Sequence, residues 1–481
     1  MNRISVLCLV LALLPVGAWG EAPEILIVRA EEDWLADPDA VPPWKAKRLG
    51  ERSFLTLGGE WRLAFESFEN EEWGNVPGRD SFVMNRLMTH AGWTWLPDRT
   101  SLPDRSGRGN GLERVRIFFQ LKHGEVYERQ SEDRPPDIDR LDVNAAFVEL
   151  RATSGEALWT LRLGRQELHY GAARLISVRE GPNTRTSFDA ALLRYERNRW
   201  HADAFYAFPN ETDPGSLDNG RRQGRKLRGV YATRRLGANG GPDSVNQGID
   251  FYAFLDERPQ SYFEGAGREK RYSWGGRFFH RGERLRQDLL WTWQWGDIRW
   301  NPQQGPDDGS IKDGSIEAWT VSTNSHYLLK DGGWRPTVNV FFGYTTGDED
   351  ANDGDVQTFR APYPPGRYFG TGAPNGPLNV FFYRLGLAFS PGPVAFDVGA
   401  YEFQRESLAD GAYGVPGIPL RSPGLSGERR IGRLVEAKAA WTWGRFEMEA
   451  EAAHFFAGPF LEADTFSEDM TFLGLKLVFK Y

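Results

Sequence analysis

Three observations predict an all-β fold, a single transmembrane antiparallel β-barrel of about eighteen strands of the outer-membrane type. Most of the chain beyond residue 50 alternates apolar and polar residues at period two, the β period. Aromatic residues make up 14 % of the 481 residues, yet the mean hydropathy is −0.53. A barrel with an aromatic outer face and a wet inner face has both properties. Long and short connections also alternate along the chain, as they do where extracellular loops alternate with periplasmic turns.

The elements follow in order. Residues 1–20 combine Asn2-Arg3, an apolar run from Ile4 to Val16 and the small-x-small site Ala18-Trp19-Gly20, the pattern of a cleaved signal peptide. The apolar run is too short for a membrane anchor, which needs roughly 18 residues. The sole cysteine, Cys8, lies in this leader, so disulfides, haem-attachment motifs and cysteine zinc sites are excluded from the mature chain. Residues 21–50, with Pro23, Pro38, Pro42 and Pro43, are expected to form a periplasmic N-terminal segment ahead of a barrel spanning 51–481.

The period then predicts strands at 53–66, 85–96, 112–123, 142–152, 158–166, 188–197, 199–208, 226–235, 248–257, 272–281, 285–299, 315–329, 334–347, 378–390, 393–405, 430–443, 445–457 and 469–481. Leu57, Trp61, Leu63 and Phe65 share one face of the first, against Glu60 and Arg62 on the other. Leu289, Trp291, Trp293 and Trp295 do the same in the eleventh. Around Glu149 and Leu192 the alternation falters, which predicts bulges or inward apolar residues. Connections after odd strands are long: 67–84, 124–141, 167–187, 209–225, 258–271, 300–314, 348–377, 406–429 and 458–468. Those after even strands are mostly tight, with 97–111 and 236–247 the exceptions. The last strand places Leu473, Leu475, Leu477, Phe479 and Tyr481 on one face, and its terminal aromatic resembles the insertion signal of outer-membrane proteins.

Chemistry concentrates in 164–189, which carries Arg165, Arg174, Arg179 and Arg185 among the turn residues Gly171, Gly181 and Pro182. A guanidinium presents a planar donor fork matched to a carboxylate. Arginines converging on a narrow pore attract anions and reject cations. Those four are expected to form the constriction. Inward strand positions add Arg116, Arg162, Lys122 and Arg384, with Arg62 and Arg277, against the inward acids Glu60, Glu447, Glu449 and Glu451.

The run from Gly164 to Asp189 resembles the signature of the alginate export family of outer-membrane barrels. Weaker agreements follow in chain order: Leu57-Gly58-Gly59-Glu60-Trp61-Arg62, Phe118-Phe119-Gln120-Leu121, Ala146-Phe147-Val148-Glu149-Leu150, Ala202-Asp203-Ala204-Phe205, Glu317-Ala318-Trp319-Thr320, and Phe455-Phe456-Ala457-Gly458. The resemblance implies a monomeric eighteen-stranded barrel in the cell outer membrane, surrounded by lipid. Its arginine-rich constriction would pass an anionic polysaccharide by passive, selective diffusion, and a periplasmic secretion complex is the implied protein partner. Two departures stand out. After Thr358-Phe359 the chain has Arg360-Ala361-Pro362-Tyr363-Pro364, where the family has Asn-Pro-Leu-Phe-Pro. The characterised exporter of this family carries an occluding loop near its last periplasmic turn, but here that turn is Trp443-Gly444-Arg445. A gate is therefore expected at 97–111 or 236–247, or not at all.

Other classes are disfavoured. Net charge is −8, which argues against nucleic acid as a partner. No Walker loop, HExxH or GxSxG motif occurs and the seven histidines, including His169, His201 and His454, are scattered; no catalytic residue is expected. The alternatives are a general small-anion porin and a secreted β-rich uronate-active enzyme. No cofactor is expected. Asp348 to Asp355 resembles a calcium loop in its alternating oxygens, but its glycine, Gly354, is one place late for an EF-hand.

Overall fold

The computed structural model describes residues 26–35, 41–97, 109–237, 246–263, 266–301, 310–370 and 372–481. The expected leader, and residues 98–108 and 238–245 of the gate candidates 97–111 and 236–247, lie outside the described residues. Eighteen long strands follow one another: β1 (Ser53–Glu71), β2 (Val76–Trp95), β3 (Gly109–Tyr127), β4 (Asp139–Gly155), β5 (Ala157–Gln166), β6 (Phe188–Arg197), β7 (Trp200–Pro209), β8 (Lys226–Leu236), β9 (Asn246–Arg258), β10 (Ala266–Arg281), β11 (Leu285–Trp300), β12 (Asp313–Leu328), β13 (Thr337–Thr345), β14 (Val380–Phe389), β15 (Val394–Arg405), β16 (Arg430–Trp443), β17 (Phe446–Ala457) and β18 (Met470–Lys480). Each pairs antiparallel with the next. β1 also pairs with β18, with Trp61 opposite Phe479, Leu63 opposite Leu477 and Phe65 opposite Leu475. The sheet therefore closes, and a closed sheet leaves no backbone edge for lipid to solvate.

Side chains alternate as the sequence predicts. Leu63, Phe65, Leu289, Trp291, Trp293, Trp295, Leu473 and Leu475 are exposed on the outer face, while Glu60, Arg62, Arg116, Lys122, Arg162, Arg277 and Arg384 are buried inside. At the two irregular places, Glu149 and Leu192 both turn inward and are buried. The expected loop 67–84 is a correction. β1 and β2 continue to Glu71 and Val76, joined by a tight turn in which Trp73 is buried with a φ of 60°. In this extension Phe68, Phe82 and Met84 turn inward into an apolar cluster while Glu69 and Arg79 face out, the reverse of the pattern that marks a spanning strand.

The lumen is filled from two directions. From the extracellular ends, the loops 167–187 and 346–379 fold inward and meet through the parallel bridge Ile176–Tyr363, with Ser177 N donating to Tyr363 O at 2.9 Å and Tyr363 N to Leu175 O at 2.8 Å. Apolar packing fixes them. Ile176, Phe359 and Tyr363 join Phe188, Phe205 and Phe254 of the wall, and Phe369 joins Phe382, Phe403 and Phe455 on the opposite side. From the periplasmic end, residues 26–35 enter the barrel, where Val28 and Ala30 pack with Phe118, Ala145 and Phe147. The segment expected to lie in the periplasm is thus partly inside the barrel. Its return, through Val41 and Ala46, seals the rim against Phe54 and Leu96 before a two-residue strand, Lys47–Arg48, pairs with β1.

Candidate functional site

The two inward loops divide the lumen, and each is locked by buried ion pairs. The tip of 167–187 is clamped to β1 and β2. Arg62 donates to the carbonyls of Glu180 at 2.7 Å and Pro182 at 2.8 Å, Arg86 pairs with Glu60 at 2.6 Å and also with Glu180, and Arg185 pairs with Glu180 at 2.5 Å. Asn183 Nδ2 donates to three backbone carbonyls, those of Asn85, Glu125 and Asp137. The loop 346–379 is pinned by Arg360, whose guanidinium is buried against Asp256 and Glu269, both at 2.9 Å. Arg271 donates to Thr358 O at 2.9 Å and Arg258 to Pro362 O at 2.8 Å. The sequence departure at Arg360 is therefore an anchor.

Above the partition lies an extracellular vestibule of about 370 Å³. Six cations line it, Lys122, Arg179, Arg185, Arg222, Arg225 and Arg258, against two acids, Glu211 and Asp213. Lys122 is matched by Asp139 at 2.8 Å and Arg258 by Asp256 at 2.9 Å. Among the described residues, Arg179, Arg222 and Arg225 have no carboxylate within 4.0 Å. Arg179 has a φ of 57°, a left-handed backbone that costs a non-glycine residue about 1–2 kcal/mol. Such strain persists where the surroundings over-determine it, and the Arg179 N–H is held by Ser177 Oγ at 3.0 Å. The Tyr262 ring takes Arg225 at 5.1 Å and Arg258 at 4.9 Å from its centroid. Burial pushes the Tyr262 phenol up, but Arg258 and Arg225 outweigh it and bring it down to about 8.

Below the partition is a cavity of about 390 Å³, lined by the midsections and periplasmic halves of β1 and β12–β18. Its six cations, Arg62, Arg174, Arg367, Arg384, Lys438 and Lys476, face six acids, Glu66, Glu180, Asp397, Glu436, Glu449 and Glu451. Most are paired: Arg384 with Asp397 and with Glu436 at 2.9 Å, Lys476 with Glu449 at 2.5 Å, and Arg367 with Glu66. Arg174 instead donates to Tyr368 O at 2.8 Å and lies 4.3 Å from the Phe341 ring centroid.

The arginines expected to form one constriction are therefore dispersed. Arg179 and Arg185 line the vestibule with Lys122, and Arg174 and Arg384 line the lower cavity. Arg165 belongs to the wall, bound to Asp189 at 2.9 Å and to Asn219 O at 3.1 Å. Arg116 and Arg162 converge on Glu149 and on the N-terminal segment. Arg222, Arg225, Arg258 and Tyr262 were not singled out by sequence. The charge run Arg221-Arg222-Gln223-Gly224-Arg225-Lys226 was the available signal. At the acidic loop, Asp348, Asp350 and Asp353 accept from the backbone N–H groups of Asp350, Asn352 and Asp355. No group of three or more histidine, cysteine, aspartate or glutamate side chains placed to hold a metal ion forms among the described residues.

The sequence profile of the alginate export family matches residues 53–474, which is nearly the whole barrel. The chain belongs to the alginate export family. No curated protein matches it. Its fold is similar to OpdO of Pseudomonas aeruginosa, with a TM-score of 0.53, 11 % identity and coverage of 89 % of this chain and 97 % of that one. It is likewise similar to the outer membrane protein OpdK of Pseudomonas aeruginosa (TM-score 0.52, 9 % identity, 88 % and 98 % covered). OccAB4 of Acinetobacter baumannii gives a TM-score of 0.52 at 8 % identity, with 88 % and 98 % covered. This alginate export family member is an outer-membrane channel of porin-like architecture.

Proposed function

We propose that the barrel passes an anionic polysaccharide, an alginate-like polyuronate, by passive diffusion without a cofactor, as a monomer whose periplasmic mouth meets a secretion complex. The observation that carries this reading is the charge imbalance of the vestibule, six cations to two acids with three guanidiniums lacking carboxylate partners. In this reading Arg179, Arg222 and Arg225 take successive uronate carboxylates, with Arg185, Lys122 and Arg258 behind them and Arg174 and Arg384 on the periplasmic side. Each contact is weak enough for the chain to slide, the compromise that conduction requires. The Tyr262 ring supplies a flat surface for a sugar face. The test is a planar bilayer: the mature protein should be anion-selective and blocked by uronate hexamers, and indifferent to neutral dextrin. Block by dextrin, or none by uronate, would sink the reading.

A second reading is a porin for small carboxylates. The division of the lumen into separate cavities of about 370 and 390 Å³ favours it, and OpdK of Pseudomonas aeruginosa was solved with vanillate. The two readings part on chain length. A polymer path gives block that strengthens from uronate monomer to hexamer, whereas a small-acid path gives none of that dependence.

A further inference from the structure

The wall behind the N-terminal segment carries more positive charge than it can neutralise. Arg114 and Arg116 of β3, Arg162 of β5 and Arg194 of β6 face two wall acids, Glu149 and Asp203. Glu149 accepts from Arg114 at 3.1 Å, Arg116 at 3.0 Å and Arg162 at 2.6 Å, and Asp203 pairs with Arg194 at 2.9 Å. The neighbouring Arg151 lies 3.8 Å from Glu113 and 3.9 Å from Asp33 of the segment. Four guanidiniums against two carboxylates leave an excess of two.

The segment supplies the missing pair. Glu31 takes Arg162 on one oxygen and Arg194 on the other, each at 2.7 Å, and Asp33 lies 3.5 Å from Arg114. Arg116 donates to the carbonyl of Ala30 at 2.7 Å. A uronate ring offers the same combination, one carboxylate with neutral oxygens beside it.

The apolar hold on the segment is uneven: its tip contributes only Val28 and Ala30 to an apolar cluster, while Trp34, Leu35, Val41 and Ala46 pack its base at the rim. Between them Arg29 donates to Gly59 O at 2.9 Å and to Tyr481 O at 3.1 Å. Glu31 keeps 30 % of its side-chain surface exposed, so a competitor can reach it from the lumen. The tip also meets the inward loop 167–187, since Arg185 donates to Ile27 O at 2.9 Å.

We propose that Arg162 and Arg194 form a carboxylate site for uronate, occupied in the resting channel by the chain's own Glu31, and that an incoming uronate displaces the tip of the segment while its base stays anchored. This rests on the polyuronate reading above. It gives the channel a plug that its cargo opens.

The test uses the full-length protein with Cys8→Ser and Val28→Cys, folding being checked by heat-modifiable migration. Val28 is buried, 9 % exposed, so a charged maleimide applied from the periplasmic side should label it slowly. Adding Glu31→Gln should speed labelling about tenfold, because it removes a charge-assisted link to two guanidiniums. Uronate hexamers should speed it in the Glu31 protein, and neutral dextrin should not. The opening frequency of Glu31→Gln alone, which needs no cysteine, should rise as well. Labelling and opening both unmoved by Glu31→Gln would overturn the proposal. So would hexamers that block conductance from the extracellular side yet leave labelling unchanged, and in that case the polyuronate reading would stand. Hexamers that do neither would remove the polyuronate reading and this site's ligand together.

Discussion

The vestibule and the lower cavity are lined by equal numbers of cations, six each, yet they differ in what faces them: two acids above the partition and six below. Below, the wall strands supply both signs at adjacent positions, as in Lys476 and Lys438 beside Glu449. Charges that pair in this way neutralise one another. Above, Arg222 and Arg225 come from the loop between β7 and β8 and Arg179 from a strained turn, none of them with a carboxylate within 4.0 Å among the described residues. An arginine count is thus a poor guide to anion selectivity. What matters is which guanidiniums lack a partner, since a paired one has little field left for a substrate.

The largest effect is expected from breaking the partition. Arg360→Ala leaves Asp256 and Glu269 with fewer partners in a buried site, which should cost about 3–5 kcal/mol. The temperature of heat-modified migration should fall, and conductance should rise as the loop 346–379 leaves the lumen. Unchanged melting and conductance would show that the apolar clusters alone hold this loop. Next comes the vestibule. Replacing Arg179, Arg222 and Arg225 together with Ser should weaken block by uronate hexamers on the order of 100-fold, three charge-assisted bonds at a modest net contribution each. Titrating hexamer against single-channel current checks this.

A smaller effect should follow pH. Tyr262 ionises at about 8. Below that pH the phenol is neutral, and above it a phenolate adds one negative charge among the vestibule arginines. Hexamer block should therefore weaken by about fourfold as pH rises through 8, and Tyr262→Phe should abolish the step. A step that survives in Tyr262→Phe would assign it to another group. The smallest effect is expected below the partition. Lys438→Gln leaves Glu449 its contact with Lys476, so hexamer affinity should change less than twofold by the same current titration, within the range of exposed ion pairs.

The strands were legible in the sequence because one face meets lipid and the other water, which writes period two along every span. The upper halves of β1 and β2 were not, because there the apolar residues Phe68, Phe82 and Met84 turn inward and the polar Glu69 and Arg79 face out, the reverse of the spanning pattern. The arginine-rich loop was legible as a place of charge, but its four arginines separate. Arg165 is drawn to Asp189 at the wall and Arg174 to Tyr368, which leaves Arg179 and Arg185 in the vestibule. Periodicity carries no information on which loop reaches which cation. Glu31 meets Arg162 and Arg194 across 131 and 163 residues of chain, so an N-terminal segment that looks periplasmic by composition ends inside the barrel. Tyr262 was missed for the same reason, its partners Arg225 and Arg258 coming from β7–β8 and β9.

In the proposed reading, selectivity resides in the unpaired guanidiniums of the vestibule. The zero-current potential across a planar bilayer under a salt gradient tests it most directly, compared between the unaltered channel and the Arg179, Arg222, Arg225 triple Ser variant. The potential should be anion-selective in the unaltered channel and collapse toward zero in the triple variant. An unchanged anion-selective potential in a correctly folded triple variant would contradict it and move the selectivity filter elsewhere in the lumen.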